Sequence, residues 1–420
     1  MKIRNWNSNL KIRLFGEFFT YASLWMIIPF LILYFHEEFG SALTAWLLLL
    51  SSIISATANL LGGYFADRYG RRKMLLISSL GQAIVLTIFA FSFFYHPLIT
   101  FVCSIFYNIL NGLYYSPSQA IVADTVDTEK QTEVFAVFYT TMNLAVVVGA
   151  VMGGLFISNY RFEMYIIASI LHLLLGFAFF KWGSETTPDF SNEEKQFTSW
   201  KQVIVDQLSS YRLVFTHKVF LLFVVAGVLI TLVASQSDIL LPIFIKDLFP
   251  DGLTLQLFSF NAIQLNAENM FSITLAQNGL LVIMFTILIT KMIVKKFSEK
   301  NVFVVSCLLY GAAMIYLGFT ASLMGILIAV LIFTVAEMMI ANIQLSFIAK
   351  IAPVALRAKY FAAASLQHTA SRMIAPFGIL LSAQVGFTWT FLVFALLAVV
   401  AAVLYYLVYS IENVTVRSMD

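Results

Sequence analysis

The chain has 420 residues, of which 60% are hydrophobic and only 11% charged, with a formal net charge of +3. Soluble domains carry about 25% charged residues, so this composition argues against a soluble enzyme or a nucleic-acid binder and places the chain in lipid. Its two cysteines, Cys103 and Cys307, both lie inside apolar runs, which excludes a disulfide framework; no run of histidines and carboxylates suggests a metal site.

The N-terminus (MKIRNWNSNLKIRLFGEFF) is basic and leads into an apolar stretch. That stretch is too long for a signal peptide and lacks a small-residue cleavage site, so it reads as an uncleaved first span. A spanning helix needs about 20 mostly apolar residues. Twelve segments qualify: 13–35, 42–66, 74–94, 98–122, 134–158, 162–182, 218–246, 272–295, 302–321, 323–349, 359–383 and 386–410. The runs are continuous rather than alternating, which argues against barrel strands. With both termini inside, 22 of the 25 Lys and Arg fall in inner segments, as the positive-inside rule requires. The expected fold is therefore an all-α integral membrane protein of twelve transmembrane helices. It is built as two six-helix halves, 1–183 and 218–420, joined by a polar cytoplasmic linker, 184–217. Trp200, Val203, Ile204, Leu208 and Tyr211 fall at helical spacing in that linker, which suggests an amphipathic helix on the inner membrane surface; an ordinary linker helix is the alternative. The outer connection 247–271 is also long, and its role is not readable.

Between the second and third spans stands GGYFADRYGRRKMLL. Gly63 suits a close approach of the second helix to a neighbour, and Gly70 a tight turn. Asp67 suits the positive end of a nearby helix. Arg68, Arg71 and Arg72 supply forked donors for carboxylates or lipid phosphates.

Ionisable groups inside the hydrocarbon region cost several kcal/mol and are functional candidates. Glu337 lies midway along the tenth span, in FTVAEMMIAN, and a carboxyl that gains and loses a proton as a cavity opens to either side is the minimum part for proton coupling. Asp238, in SQSDILLP, precedes Pro242 by four residues; the proline frees a backbone carbonyl and favours a kink. Asp238 reads as a cation or second proton site, with an interfacial residue as the alternative. Arg372 lies midway along the eleventh span, one turn after His368 on the same face. Two roles for it stay open: an ion pair with Glu337, or binding an anionic substrate or lipid headgroup. Glu17 lies one turn past Arg13 near the inner surface and reads as its ion-pair partner, with a gate role as the alternative. His172 in the sixth span reads as a packing histidine.

The loop motif Gly63-x-x-x-Asp67-Arg68-x-Gly70-Arg71-Arg72, at its position after the second of twelve spans, resembles that of the major facilitator superfamily. The resemblance implies a conformational latch that locks the two halves on the cytoplasmic side, with Asp67 against the start of the eleventh helix near residues 357–359. On the fifth helix NLAVVVGAVMGG, with Gly149, Gly153 and Gly154, is similar to the glycine-rich motif of proton-coupled antiporters, with Ala150 where proline is usual. Asn111-Gly112 is similar to a fourth-helix motif, with Asn108 in place of its usual arginine. The lactococcal-type multidrug transporters share these departures, and the chain resembles them over nearly its whole length, through NLKIRL, SQSDILLP and TVAEMM. The acid that this group carries on the fifth helix has no match; Phe138 stands there.

The resemblance implies a secondary active transporter of the plasma membrane, multi-pass and monomeric, that exports lipophilic, often cationic compounds in exchange for protons. The proton gradient would be its energy source and membrane lipids its surroundings. No cofactor is implied, and no Gly-x-x-x-x-Gly-Lys phosphate loop is present. A lipid or glycolipid flippase and a proton-coupled solute symporter are the alternatives.

Overall fold

The computed structural model describes residues 6–126, 128–186, 205, 218–256, 262–294, 296–352, 360 and 363–417. Its helices follow in chain order: α1 (Ser8–Tyr69), α2 (Arg71–Ser92), α3 (Pro97–Thr125), α4 (Thr128–Phe156), α5 (Arg161–Trp182), α6 (Lys218–Ala234), α7 (Gln236–Ile239), α8 (Leu241–Leu248), α9 (Ala267–Ile289), α10 (Glu299–Phe319), α11 (Leu323–Ile351), α12 (Leu366–Ile374), α13 (Phe377–Val385) and α14 (Phe387–Arg417). A short π-helical stretch, Thr290–Val294, follows α9. The linker helix expected around Trp200 to Tyr211 lies outside the described residues, Val205 excepted.

Ten helices among the described residues are long and apolar enough to cross a membrane. The difference from twelve has two sources. First, α1 has 62 residues, about 93 Å at 1.5 Å per residue against a hydrocarbon core of about 30 Å. It breaks at Gly40, whose φ of 70° lies in the left-handed region that glycine enters at no steric cost. The first two predicted spans are thus joined through a single non-helical residue. Second, the predicted eleventh span appears as two nine-residue helices, α12 and α13, separated at Ala375 and Pro376. The seventh is also interrupted: α6 ends at Ala234, and α8 begins with Pro242 in its first turn. Asp238 sits in the short α7 between the two breaks, where the proline argument anticipated a kink.

Residue contacts divide the chain into two compact units, Met1–Glu38 with Leu50–Ile204, and Phe39–Leu49 with Val205–Asp420. In the N-terminal unit α2 packs against α3 and α5. Phe89 and Tyr165 pack in its core with ring centroids 4.6 Å apart and planes tilted by 45°. In the C-terminal unit α10 packs against α11 and α14, α6 against α12 and α14, and α9 against α11. An aromatic cluster fills that core. Phe303 and Tyr405 lie 4.4 Å apart, and Phe223 and Phe347 4.6 Å apart. The outward faces are apolar as well: Ile287, Phe319 and Leu396 are all more than 60% exposed. Helices apolar all round belong in a bilayer, and the chain is a multi-pass membrane protein. The long connection 247–271 holds a two-stranded antiparallel hairpin among its described residues, β1 (Leu253–Leu255) and β2 (Ile263–Leu265), which hydropathy alone did not anticipate.

Candidate functional site

Each unit holds a buried or half-buried acid within its apolar interior. In the C-terminal unit Glu337 lies on α11, fourteen residues from the helix start, and Asn278 faces it from α9. The Asn278 amide Nδ2 donates to Glu337 Oε2 at 2.9 Å and to Thr334 Oγ1 at 3.0 Å. Thr334 precedes Glu337 by three residues, hence lies on the same helix face, and is fully buried. Its own hydroxyl donates to the Val330 carbonyl at 2.7 Å. The neighbouring Gln277 donates to the Leu327 carbonyl at 2.9 Å, so two consecutive amides stitch α9 to α11. Among the described residues Glu337 makes no ion pair.

A recess opens beside this seam, lined by Ser237, Asp238 and Leu241, by Thr274, Leu275 and Asn278, and by Met314, Leu317, Ala329, Val330 and Phe333. Asp238 is exposed into it, and its Oδ1 accepts a hydrogen bond from Ser237 Oγ at 3.1 Å.

Arg372 and His368 stand one turn apart on α12, both exposed. The charge of Arg372 acts on Asp238 and on His368. Glu337 instead feels Asp238. Of the two roles left open for Arg372, the ion pair with Glu337 does not form among the described residues; the acid whose electrostatics Arg372 influences is Asp238, which the sequence had not paired with it. Asn278, Thr334, Ser237 and Thr274 escaped the sequence reading. The one available signal was the adjacent pair Gln277-Asn278 in the middle of an apolar run.

In the N-terminal unit Glu17 and Arg13 form the expected ion pair, with Arg13 Nε donating to Oε1 at 3.2 Å and Oε2 at 3.1 Å. Both are buried, at 5% and 1% exposure. From α3 the Tyr114 hydroxyl donates to Glu17 Oε1 at 3.1 Å, and Ser118 donates to the same oxygen. The Arg13 guanidinium lies 4.2 Å from the ring of Phe138. His172 is a satisfied core histidine: Nδ1 bonds the Ala168 carbonyl at 2.8 Å, and Nε2 meets the Tyr107 hydroxyl at 3.3 Å.

The loop cluster is bonded within the N-terminal unit. Arg71 pairs with Asp124 and donates to the Ala120 carbonyl at 3.0 Å. Arg72 donates to the carbonyls of Phe179 and Phe180, and Arg68 to the Tyr64 hydroxyl at 2.9 Å. Gly70, with φ of 97°, ends α1, and the Glu185 carboxylate fills the space a Cβ would need while accepting the Arg71 N–H at 2.9 Å. Asp67 is exposed, and the start of the eleventh span lies outside the described residues. The role assigned to Gly63 needs correction. Among the described residues a Cβ there meets nothing within 4 Å, whereas one at Gly62 meets the Gly112 backbone at 2.7 Å. Consecutive helix positions point about 100° apart, so the close approach belongs to Gly62. Gly149 and Gly153 do abut α1, against the backbone of Ala22 and Met26, and Gly154 is buried beside them.

The family model described as the Major Facilitator Superfamily matches residues 13–376. A Na(+), Li(+), K(+)/H(+) antiporter of Planococcus maritimus is 40% identical over 411 residues, 96% of each chain. The multi-drug resistance efflux pump PmrA of Streptococcus pneumoniae is 30% identical over 183 residues, 42% of this chain and 43% of that one. Among solved structures, a POT family transporter in complex with 5-aminolevulinic acid superposes with a TM-score of 0.78 over 98% of both chains, at 18% identity. That likeness concerns the fold alone.

Proposed function

The chain belongs to the Major Facilitator Superfamily, and we propose that it is an antiporter that expels monovalent metal cations in exchange for protons. One observation carries this: a mid-span carboxylate, Glu337, held by a neutral amide and without an ion-pair partner among the described residues. A carboxylate paired with arginine would be held ionised and would carry protons poorly. Glu337, held only by neutral groups, takes up a proton on one side of the membrane and gives it up on the other. The name of the Planococcus relative, similar over nearly the full length, supports metal cations as the exchanged species. So does the oxygen-donor chemistry around Asp238, since hard cations prefer carboxylate, hydroxyl and carbonyl oxygens.

In this reading the proton gradient supplies the energy and no organic cofactor takes part. The protein works as a monomer in the cell membrane with both termini in the cytoplasm, and alternating access moves the site between the two sides. The Asp67 cluster acts as the latch, and Arg372 and His368 set the field around Asp238. Export of lipophilic cations is the second reading. The apolar wall of the recess, with Met314, Leu317 and Phe333, favours it, as does the likeness to PmrA over part of the chain.

The test uses proteoliposomes with an imposed pH gradient and an internal pH dye. Addition of NaCl, LiCl or KCl dissipates the gradient in the wild type, choline chloride does not, and Glu337→Gln abolishes the response. A gradient collapsed by ethidium but untouched by all three metal salts overturns the first reading in favour of the second.

A further inference from the structure

Helix α12 carries polar side chains on two faces. On the first, Ser371 Oγ donates to the Val228 carbonyl of α6 at 2.7 Å, and Gln344 Nε2 of α11 donates to Gln367 Oε1 at 2.7 Å. Gly227 leaves the room that Gln367 occupies, since a Cβ there would overlap its amide. These contacts fix the rotation of α12 about its own axis. The second face then presents His368, Thr369 and Arg372, with Arg372 one turn after the other two and between them. His368 and Arg372 are exposed, and among the described residues neither side chain makes a hydrogen bond or an ion pair. The Thr369 hydroxyl reaches the Ser365 carbonyl only at 3.4 Å, longer than a good O–H···O bond. A guanidinium at mid-span is too costly to leave to acyl chains, so it faces water or a ligand. Asp238, the acid on which its charge acts, forms no ion pair with it among the described residues, so the fork of donors stays open.

We propose that Arg372, His368 and Thr369 form a binding site for an oxyanion of the carboxylate or phosphate type. The planar guanidinium offers two parallel N–H groups, which match two oxygens of such a group. The imidazole carries an N–H donor in its neutral form as well as its charged one, and the threonine hydroxyl adds a third donor. A free solute and a lipid headgroup present the same oxygens, so either can supply the ligand. The site does not depend on which species the protein exchanges for protons. It does bear on that exchange: an anion seated on Arg372 offsets the positive charge that acts on Asp238, so an anion here and a cation at Asp238 favour each other.

The experiment treats purified protein in neutral detergent with phenylglyoxal, an arginine-directed reagent, and reads the modification of Arg372 by mass spectrometry. Choline sulfate or choline acetate is expected to slow labelling of Arg372 about fivefold relative to choline chloride of equal ionic strength. Arg68, also exposed, is expected to label as before. In His368→Gln, folded as judged by gel filtration, the same protection requires about fivefold more sulfate. If that variant does not fold, Thr369→Val carries the same expectation. Protection by added phosphatidylglycerol, with none from the soluble salts, upholds the site and assigns its oxyanion to a lipid headgroup. Labelling of Arg372 that is indifferent to sulfate, acetate and phosphatidylglycerol overturns the inference, and so does sulfate protection that is identical in the folded variant.

Discussion

Asn278 Nδ2 stands 2.9 Å from Glu337 Oε2, so a neutral amide, and not the guanidinium of Arg372, holds the carboxylate in the middle of α11. Had the arginine been the partner, the acid would be locked ionised by a charge that never titrates. A neutral partner leaves both protonation states accessible. Replacing Glu337 by Gln keeps a hydrogen-bonding side chain of nearly the same shape but removes the titration. Coupled exchange in proteoliposomes is expected to fall at least tenfold in Glu337→Gln, while the thermal unfolding midpoint in detergent stays close to wild type.

Arg372 acts on Asp238, and a fixed positive charge near a cation site opposes cation binding. Arg372→Gln is therefore expected to lower the KM for sodium several-fold, with the pH dependence of exchange left in place. A displaced pH profile with an unchanged KM would assign Arg372 to Glu337 after all.

The Arg13–Glu17 pair is almost fully buried. Taking away one member strands the other, at a cost of about 3–5 kcal/mol. Glu17→Ala should accordingly lower the unfolding midpoint sharply. Arg13→Met combined with Glu17→Leu should recover part of the loss, because an apolar side chain suits the Phe138 ring that Arg13 packs on, whereas the Tyr114 and Ser118 hydroxyls still lose their acceptor.

The glycines of the loop region differ in what they tolerate. Gly63→Ala is expected to be silent, since nothing among the described residues lies within 4 Å of its Cβ position. Gly62→Ala drives a methyl group against the backbone of α3, and Gly70→Ala incurs roughly 1–3 kcal/mol of backbone strain at its positive φ in addition to displacing Glu185. Expression level and unfolding midpoint, measured for all three variants, should rank Gly63→Ala well above the other two.

How far these features were legible depended on the energy at stake. A run of apolar residues long enough to span a bilayer has few other uses, so most helices could be placed from hydropathy, and the acids at 238 and 337 stood out because a charge in hydrocarbon is expensive. A buried amide or hydroxyl costs far less once hydrogen-bonded. Asn278, Thr334, Tyr114 and Ser118 therefore left little trace, although they hold the acids in place. Span counting from hydropathy also treated the turn at Gly40 as a loop, when a single residue of positive φ suffices. The exchange of roles between Gly62 and Gly63 has a similar origin: a motif locates a glycine along the chain, whereas its helix face depends on neighbours far away in sequence. For Arg372, the sequence could not choose between an ion pair with Glu337 and binding of an anionic substrate or lipid headgroup.

The most direct test of proton–cation exchange at Glu337 is proton release from purified protein in weakly buffered detergent solution on addition of NaCl. Release from the wild type, its repetition with LiCl and its absence in Glu337→Gln are the results predicted. Release of equal size from Glu337→Gln, or none from the wild type with any monovalent metal cation, would contradict the account.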